Sequence, residues 1–290
     1  MNIVFKVKDL IFRYPKSEID VINGVSFEVF EGEIFGLLGP SGAGKSTTQK
    51  ILTKLLKDYK GTIEYNGLDF AAMGTDYYEE IGVGFEMPVH FTKLTGLENL
   101  KFFLQLYKSK ADPEELLKAV GLYEDKDKIV GEYSKGMKVR LNFVRALLNN
   151  PKVLFLDEIT NGLDPVNAKI IKNIIREFAN KGGTVFLTTH LMGDVEELCD
   201  RVVFMIDGKV TGADTPRNLK LKHGKRTVKV EYKEKGIVVA KEYELDGIGA
   251  NNDFLALIKQ VNAETIHSGE TTLAEIFIKV TGVHFDERAI

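Results

Sequence analysis

Cysteine is nearly absent: the 290 residues contain one, Cys199, which excludes an internal disulfide framework and fits a reducing compartment. Its neighbours supply no activating His or cation apart from Arg201, so Cys199 reads as a small packing residue. An excess of one charge is also missing. Lys and Arg number 39 against 42 Asp and Glu, a formal net charge of −3, and this scattered balance leaves no electrostatic footprint for nucleic acid. No stretch approaches the roughly 18 uncharged apolar residues of a membrane span, and residues 1–10 alternate like a strand instead of forming a signal-peptide core. The chain is therefore not expected to cross a membrane itself. Repeats and low-complexity tracts are lacking, and His90, His223, His267 and His284 show neither clustering nor metal-ligand spacing, so they read as packing or surface residues.

What the chain does have is Gly39-Pro40-Ser41-Gly42-Ala43-Gly44-Lys45-Ser46-Thr47, placed between the apolar run Ile34 to Leu38 and a helix-like stretch from Thr48 to Leu56. This is a phosphate-binding loop in its required setting. Glycines at 39, 42 and 44 let successive N–H groups turn inward around a phosphate, while the helix beginning near Lys45 aims unpaired N–H groups at the same point. The Lys45 ammonium then reaches the β- and γ-phosphates, and Ser46 is placed to ligate Mg²⁺. Nucleotide binding follows.

At this length more than one lobe is expected. Strands read at Val4–Val7, Leu10–Tyr14, Val25–Val29 and Ile34–Leu38, followed by short ones at 61–67, ending in an Asn-Gly turn, and 81–85. Between 87 and 150 the period changes to that of helices. Thr95 with Glu98 forms a capping box, Asp112-Pro113 opens a second helix, and Ser134 caps a third that stops before Pro151. Apolar strands return at 153–156, 184–188 and 202–206 around a helix 168–179, the pattern of a parallel sheet covered on both faces. From about 219 the pattern becomes a half-exposed hairpin, 226–232 with 236–245, then helices 252–261 and 272–281 around a short strand at 264–266. The expected division is a P-loop ATPase domain over 1–218, with a helical subdomain at about 87–150, and a small α+β accessory domain over 219–290.

Val153-Leu154-Phe155-Leu156 ends in Asp157-Glu158, which puts two carboxylates at the C-terminal edge of a buried strand, where ligands of open α/β sheets bind. Their jobs separate. Asp157 is expected to hold Mg²⁺ through water, and Glu158 to polarise the attacking water.

With these motifs in order, the sequence resembles the ATP-binding subunit of an ATP-binding cassette (ABC) transporter over nearly its whole length. Tyr133-Ser134-Lys135-Gly136-Met137 is similar to the family signature Leu-Ser-Gly-Gly-Gln, Asn161-Gly162-Leu163-Asp164 to its D-loop, His190 to its switch histidine, and Tyr14 to the aromatic that stacks on adenine. The resemblance implies a RecA-like P-loop NTPase core with a β edge subdomain. It implies ATP and Mg²⁺ as cofactors, Ser134 and Gly136 binding the γ-phosphate held by the opposite subunit, and Asp164 of the D-loop among the nucleotide-binding residues. It further implies a homodimer, or pairing with a related ATPase subunit, that powers integral-membrane transporter subunits from the cytoplasmic face of the cell membrane, with no nucleic-acid partner.

Two residues or groups depart from the family pattern. Lys135 and Met137 replace the usual Gly and Gln, a form associated, like the segment Thr271 to Ile278, with drug, antibiotic and sodium exporters. Glu86 stands where the family has the Q-loop glutamine, and is expected near the metal with Ser46 and Asp157. The alternative is a soluble ABC ATPase acting on nucleic acid or ribosomes. Such relatives typically show long coiled coils, zinc-binding cysteines, tandem cassettes or a basic tail, which this sequence lacks; a P-loop kinase would leave the signature segment unexplained.

Overall fold

Two sheets packed face to face organise residues up to Ala213 in the computed structural model, which describes residues 2–87, 89–108 and 110–282. The first carries β1 (Ile3–Phe12), β2 (Ile22–Phe30), β4 (Lys60–Tyr65) and β5 (Leu68–Asp69) in the order β2-β1-β4-β5, and its pairs are antiparallel. The two strands expected at 4–7 and 10–14 are one, β1. Asp9 takes a left-handed φ of 50°, and the pairing with β2 shifts register between Val7 and Leu10, so an irregularity interrupts the alternation without ending the strand.

The second sheet surrounds β3 (Ile34–Leu38) and also contains β6 (Ile81–Gly84), β7 (Val153–Asp157), β8 (Thr184–Thr189), β9 (Arg201–Ile206) and β10 (Lys209–Asp214). Its order is β10-β9-β3-β8-β7-β6, and the pairs β9-β3, β3-β8, β8-β7 and β7-β6 are parallel. Every residue of β3, β7 and β8 is buried, which is why these strands read as uniform apolar runs. Phenylalanines fill the space between the sheets: Phe5 meets Phe155 at 5.7 Å and Phe27 stacks on Phe35 at 5.3 Å between ring centroids. The C-terminal ends of β3, β7 and β8 thereby converge on one edge.

Helices join these strands. They are α1 (Lys45–Leu52), α2 (Tyr77–Glu80), α3 (Gly96–Leu104), α4 (Pro113–Ala119), α5 (Lys135–Leu147), α6 (Pro165–Asn180) and α7 (Met192–Leu198). Helix α1 ends earlier than Leu56 because Lys54 has φ 57°, a left-handed turn that cannot continue a helix. The capping box at Thr95 and Glu98, the Asp112 cap and the Ser134 cap all form. The helix expected at 168–179 begins upstream, at Pro165, because Asp164 caps it through the N–H groups of Val166 and Asn167.

From Asp214 a second unit contains α8 (Pro216–His223), β11 (Arg226–Glu234), β12 (Ile237–Glu244), α9 (Asn252–Gln260), β13 (Ala263–Glu270) and α10 (Leu273–Thr281). A boundary at 218 would cut α8, which belongs here: the Lys279 ammonium of α10 donates to the His223 carbonyl at 2.8 Å. The sheet β12-β11-β13 is antiparallel, and Val228, Val230, Tyr232 and Leu257 form its core. His284 lies outside the described residues.

Candidate nucleotide site

The loop from Gly39 to Thr47 leaves β3 beside the end of β9, and its glycines are dictated by that crowding. A Cβ on Gly39 would lie 2.1 Å from the Met205 carbonyl oxygen, and Gly44 has φ 108° with the Val21 carbonyl 2.9 Å from where its Cβ would stand. No side chain caps α1 at Gly44, so the loop and first helical turn present bare N–H groups to an anion. Thr48 braces the turn by donating to the Gly44 carbonyl at 3.0 Å.

Lys45 is buried, and its ammonium donates to the carbonyls of Gly39 at 2.7 Å and Pro40 at 3.0 Å. Burial lowers its pKa, opposed by the charges of Glu158, Asp157 and Glu86. All three acids thus act on the charge of the lysine.

Asp157 and Glu158 emerge where β7 pairs with β8, Asp157 lying opposite Thr188. The Thr188 hydroxyl bridges Asp157 Oδ1 and Gln49 of α1, the latter at 3.0 Å. Glu158 sits just beyond the strand with φ 50°, a left-handed turn held by three bonds on its carboxylate. The Thr189 hydroxyl donates to Oε2 at 3.1 Å, the His190 N–H donates to Oε1 at 3.0 Å, and His190 Nδ1 lies 2.7 Å from the same Oε1. Burial raises the Glu158 pKa, and the His190 contact opposes that rise. Glu158 and His190 are thus one directly hydrogen-bonded unit, in which the imidazole and the His190 N–H orient a carboxylate that can accept from a water. Sequence reasoning missed the threonines and Gln49 as orienting groups. The signal was present as two hydroxyl residues ending an otherwise apolar strand directly before His190.

Ser46, Asp157 and the exposed Glu86 line one groove of about 790 Å³. Three hard oxygen donors on one groove suit a divalent cation such as Mg²⁺. Helix α5 ties down the segment carrying Glu86: Asn142 donates to the Phe85 carbonyl at 2.8 Å, Arg145 to the Val89 carbonyl at 2.7 Å, and His90 Nε2 lies 3.0 Å from the Lys138 carbonyl. His90 is a packing residue here, its pKa pushed down to about 4 mainly by burial.

Tyr14 is brought to α1, its hydroxyl 3.1 Å from Thr47 Oγ1 and its ring edge-on to Phe12. Ser134, Gly136 and Asp164 assemble elsewhere. Ser134 caps α5 by accepting from the Met137 N–H at 3.2 Å, and a Cβ on Gly136 would face Leu163 at 3.5 Å. Signature and D-loop therefore touch each other, and among the described residues no hydrogen bond or ion pair joins Ser134, Gly136 or Asp164 to the P-loop. Cys199 is buried, and burial raises its thiol pKa far above the ordinary range, which leaves it unreactive.

Residues 22–161 match the ABC transporter family, and residues 226–270 match the fluoroquinolone efflux ABC transporter C-terminal domain. The fluoroquinolones export ATP-binding protein of Mycobacterium tuberculosis is 50% identical over 281 residues, which is 96% of this chain and 93% of that protein. The bacitracin transport ATP-binding protein of Enterococcus faecalis is 34% identical over 72% of this chain and 68% of its own. Among solved structures, the ATP-binding subunit of an ABC transporter aligns with a TM-score of 0.68 at 30% identity, covering 76% of this chain and 92% of that one. A dimeric cassette in a post-hydrolysis state with ADP and phosphate aligns with a TM-score of 0.66 at 26% identity, covering 73% and 98%. No described helix is long and apolar enough to cross a membrane. With a P-loop, a strand-end carboxylate pair and His190 in one place, and a relative 50% identical over 96% of its length, the chain belongs to the ATP-binding cassette family and is the ATP-binding and hydrolysing subunit of a transporter.

Proposed function

We propose that two copies of this ATPase, or one copy and a related subunit, close head to tail around two ATP molecules and drive an integral-membrane exporter from the cytoplasmic face. The observation that carries the dimer is the separation within one chain: Lys135 and Gly136, directly after Ser134, lie against Gly162 and Leu163, while Met205 packs on the P-loop glycines and Asp157 and Glu158 act on the Lys45 charge. A second subunit would bring its signature helix to that P-loop, adding N–H donors to the γ-phosphate. Relatives named for fluoroquinolone and bacitracin transport support a drug-sized organic cargo.

The membrane subunit's seat is the groove that contains Ser46, Asp157 and Glu86, because exposed Val89, Phe91 and Leu106 line it too. An apolar segment resting there would touch the loop that reaches the metal donors. Purification of the tagged chain from detergent-solubilised membranes tests this reading. A polytopic membrane protein should copurify, whereas ribosomal protein or DNA in its place would overturn it.

In this reading Ser46, Asp157 and Glu86 would hold Mg²⁺, which would supply neutralisation of phosphate charge on the bound nucleotide. An ionised Glu86 binds a hard cation more strongly than a glutamine would, and without metal it repels the triphosphate. ATP affinity should therefore depend on Mg²⁺ more steeply in the natural chain than in Glu86→Gln. Titration of ATP with and without Mg²⁺ checks it, and identical metal dependence in both proteins would remove Glu86 from the metal.

A further inference from the structure

A buried ionic cluster lies behind the carboxylate–histidine unit, and hydrolysis as described above makes no use of it. Asp194, on α7 a turn beyond His190, is 9% exposed, and Thr160, two residues beyond Glu158, is 8% exposed. The Thr160 hydroxyl donates to Asp194 Oδ2, and Asp194 Oδ1 lies 2.6 Å from the Lys172 ammonium of α6. Lys172 also reaches Glu197 at 2.7 Å, and Arg176, a turn further along α6, donates to the Leu198 carbonyl at 2.6 Å and to Asp200 at 2.9 Å. Helix α6 thus grips α7 along its length, and Asp194 extends that grip to the segment following Glu158.

Each member of the cluster sits at the root of a working segment. Thr160 follows the Walker B carboxylates and its carbonyl accepts from the Leu163 N–H of the D-loop at 3.1 Å. Helix α6 is capped by the D-loop residue Asp164, and α7 starts directly after the His190 loop. We propose that Asp194 is a positioning residue which, through Thr160 and Lys172, holds the Glu158 turn, the D-loop and the His190 loop in one register. Contact made at the D-loop is then transmitted to Glu158 and His190 together instead of to either alone. Removing the Thr160 hydroxyl frees the Glu158 turn from α7, and leaves a buried carboxylate with one donor fewer.

The proposal rests on Glu158 acting as the base, so Glu158→Gln runs beside it as the control. Thr160→Val, close to isosteric but lacking the hydroxyl, should lower kcat about tenfold at unchanged KM for ATP, the signature of a group that acts on the chemical step. Thr160→Ser, which keeps the hydroxyl, should restore most of kcat. Thermal melts establish that both variants are folded at the assay temperature; if Thr160→Val is not, Asp194→Asn is read the same way, since it keeps the volume while losing the ionic grip of Lys172. Full kcat in Thr160→Val while Glu158→Gln is inactive overturns the positioning role, as does a Thr160→Ser variant as impaired as Thr160→Val. Retained turnover in Glu158→Gln would instead remove the base on which the proposal stands.

Discussion

Glu158→Gln should lower ATP turnover by about 10²–10⁴-fold, the usual contribution of a positioned general base, while ATP binding persists. The amide keeps the size of the carboxylate, and its one oxygen can still accept from the His190 N–H, which donates to Glu158 Oε1 at 3.0 Å, with the amide nitrogen facing the Thr189 hydroxyl, but it cannot take a proton from water. ATP-bound dimers should accordingly accumulate with Mg²⁺ in size-exclusion chromatography. Near-natural turnover in the variant would mean another group activates the water. The natural enzyme should also lose activity on acidification at a pH above the ordinary carboxylate range, because burial raises the Glu158 pKa even against the His190 contact, and the protonated form is no base. Stability has the opposite sign. A raised folded-state pKa favours the protonated carboxyl, so its stabilising effect is present below the unfolded pKa and lost as pH rises through the folded one. At neutral pH, Glu158→Gln should therefore melt at a higher temperature than the natural chain.

Gly39→Ala is expected to be the most damaging single methyl in the P-loop. The new Cβ would stand 2.1 Å from the Met205 carbonyl oxygen and 3.1 Å from its carbon, both backbone atoms of a strand hydrogen-bonded to β3 through Leu38 and Phe204. Neither strand can step aside without breaking that pairing, so the loop must move. Overpacking of this kind costs about 1–3 kcal/mol, and if the whole cost appears as displaced N–H donors, ATP affinity falls about 5- to 150-fold. Isothermal titration with ATP measures the loss, with Gly74→Ala as the control because nothing lies within 4 Å of its Cβ position. Unchanged affinity in Gly39→Ala would show that the loop tolerates the displacement.

The parts of the site that could be read from the chain were those whose chemistry is local. The P-loop is nine consecutive residues whose glycines and lysine act through their own backbone turn, and the helix starts at Thr95, Asp112 and Ser134 depend on bonds spanning two or three residues. The same local signals, a cap and an N-terminal proline, open α8 at Thr215-Pro216, upstream of the boundary expected at 218. At β1 a single left-handed residue broke the alternation, and period alone cannot tell a bulge from a strand end.

Residue identity by itself determined that this protein binds a nucleotide phosphate, that a buried strand ends in two carboxylates, and that a helical insertion separates them. Only the tertiary structure decided which groups hold those carboxylates. The pairing of β7 with β8 in parallel register puts Thr188 against Asp157 and sets Thr189 and His190 on Glu158, partners 31 and 32 residues away. The grip of α5 on the loop before Val89 and the Thr160–Asp194–Lys172 cluster are likewise contacts between segments far apart in sequence. Such contacts leave no periodic trace, because a parallel sheet joins its strands through crossovers and its register is set by packing between elements, not by any residue's neighbours along the chain.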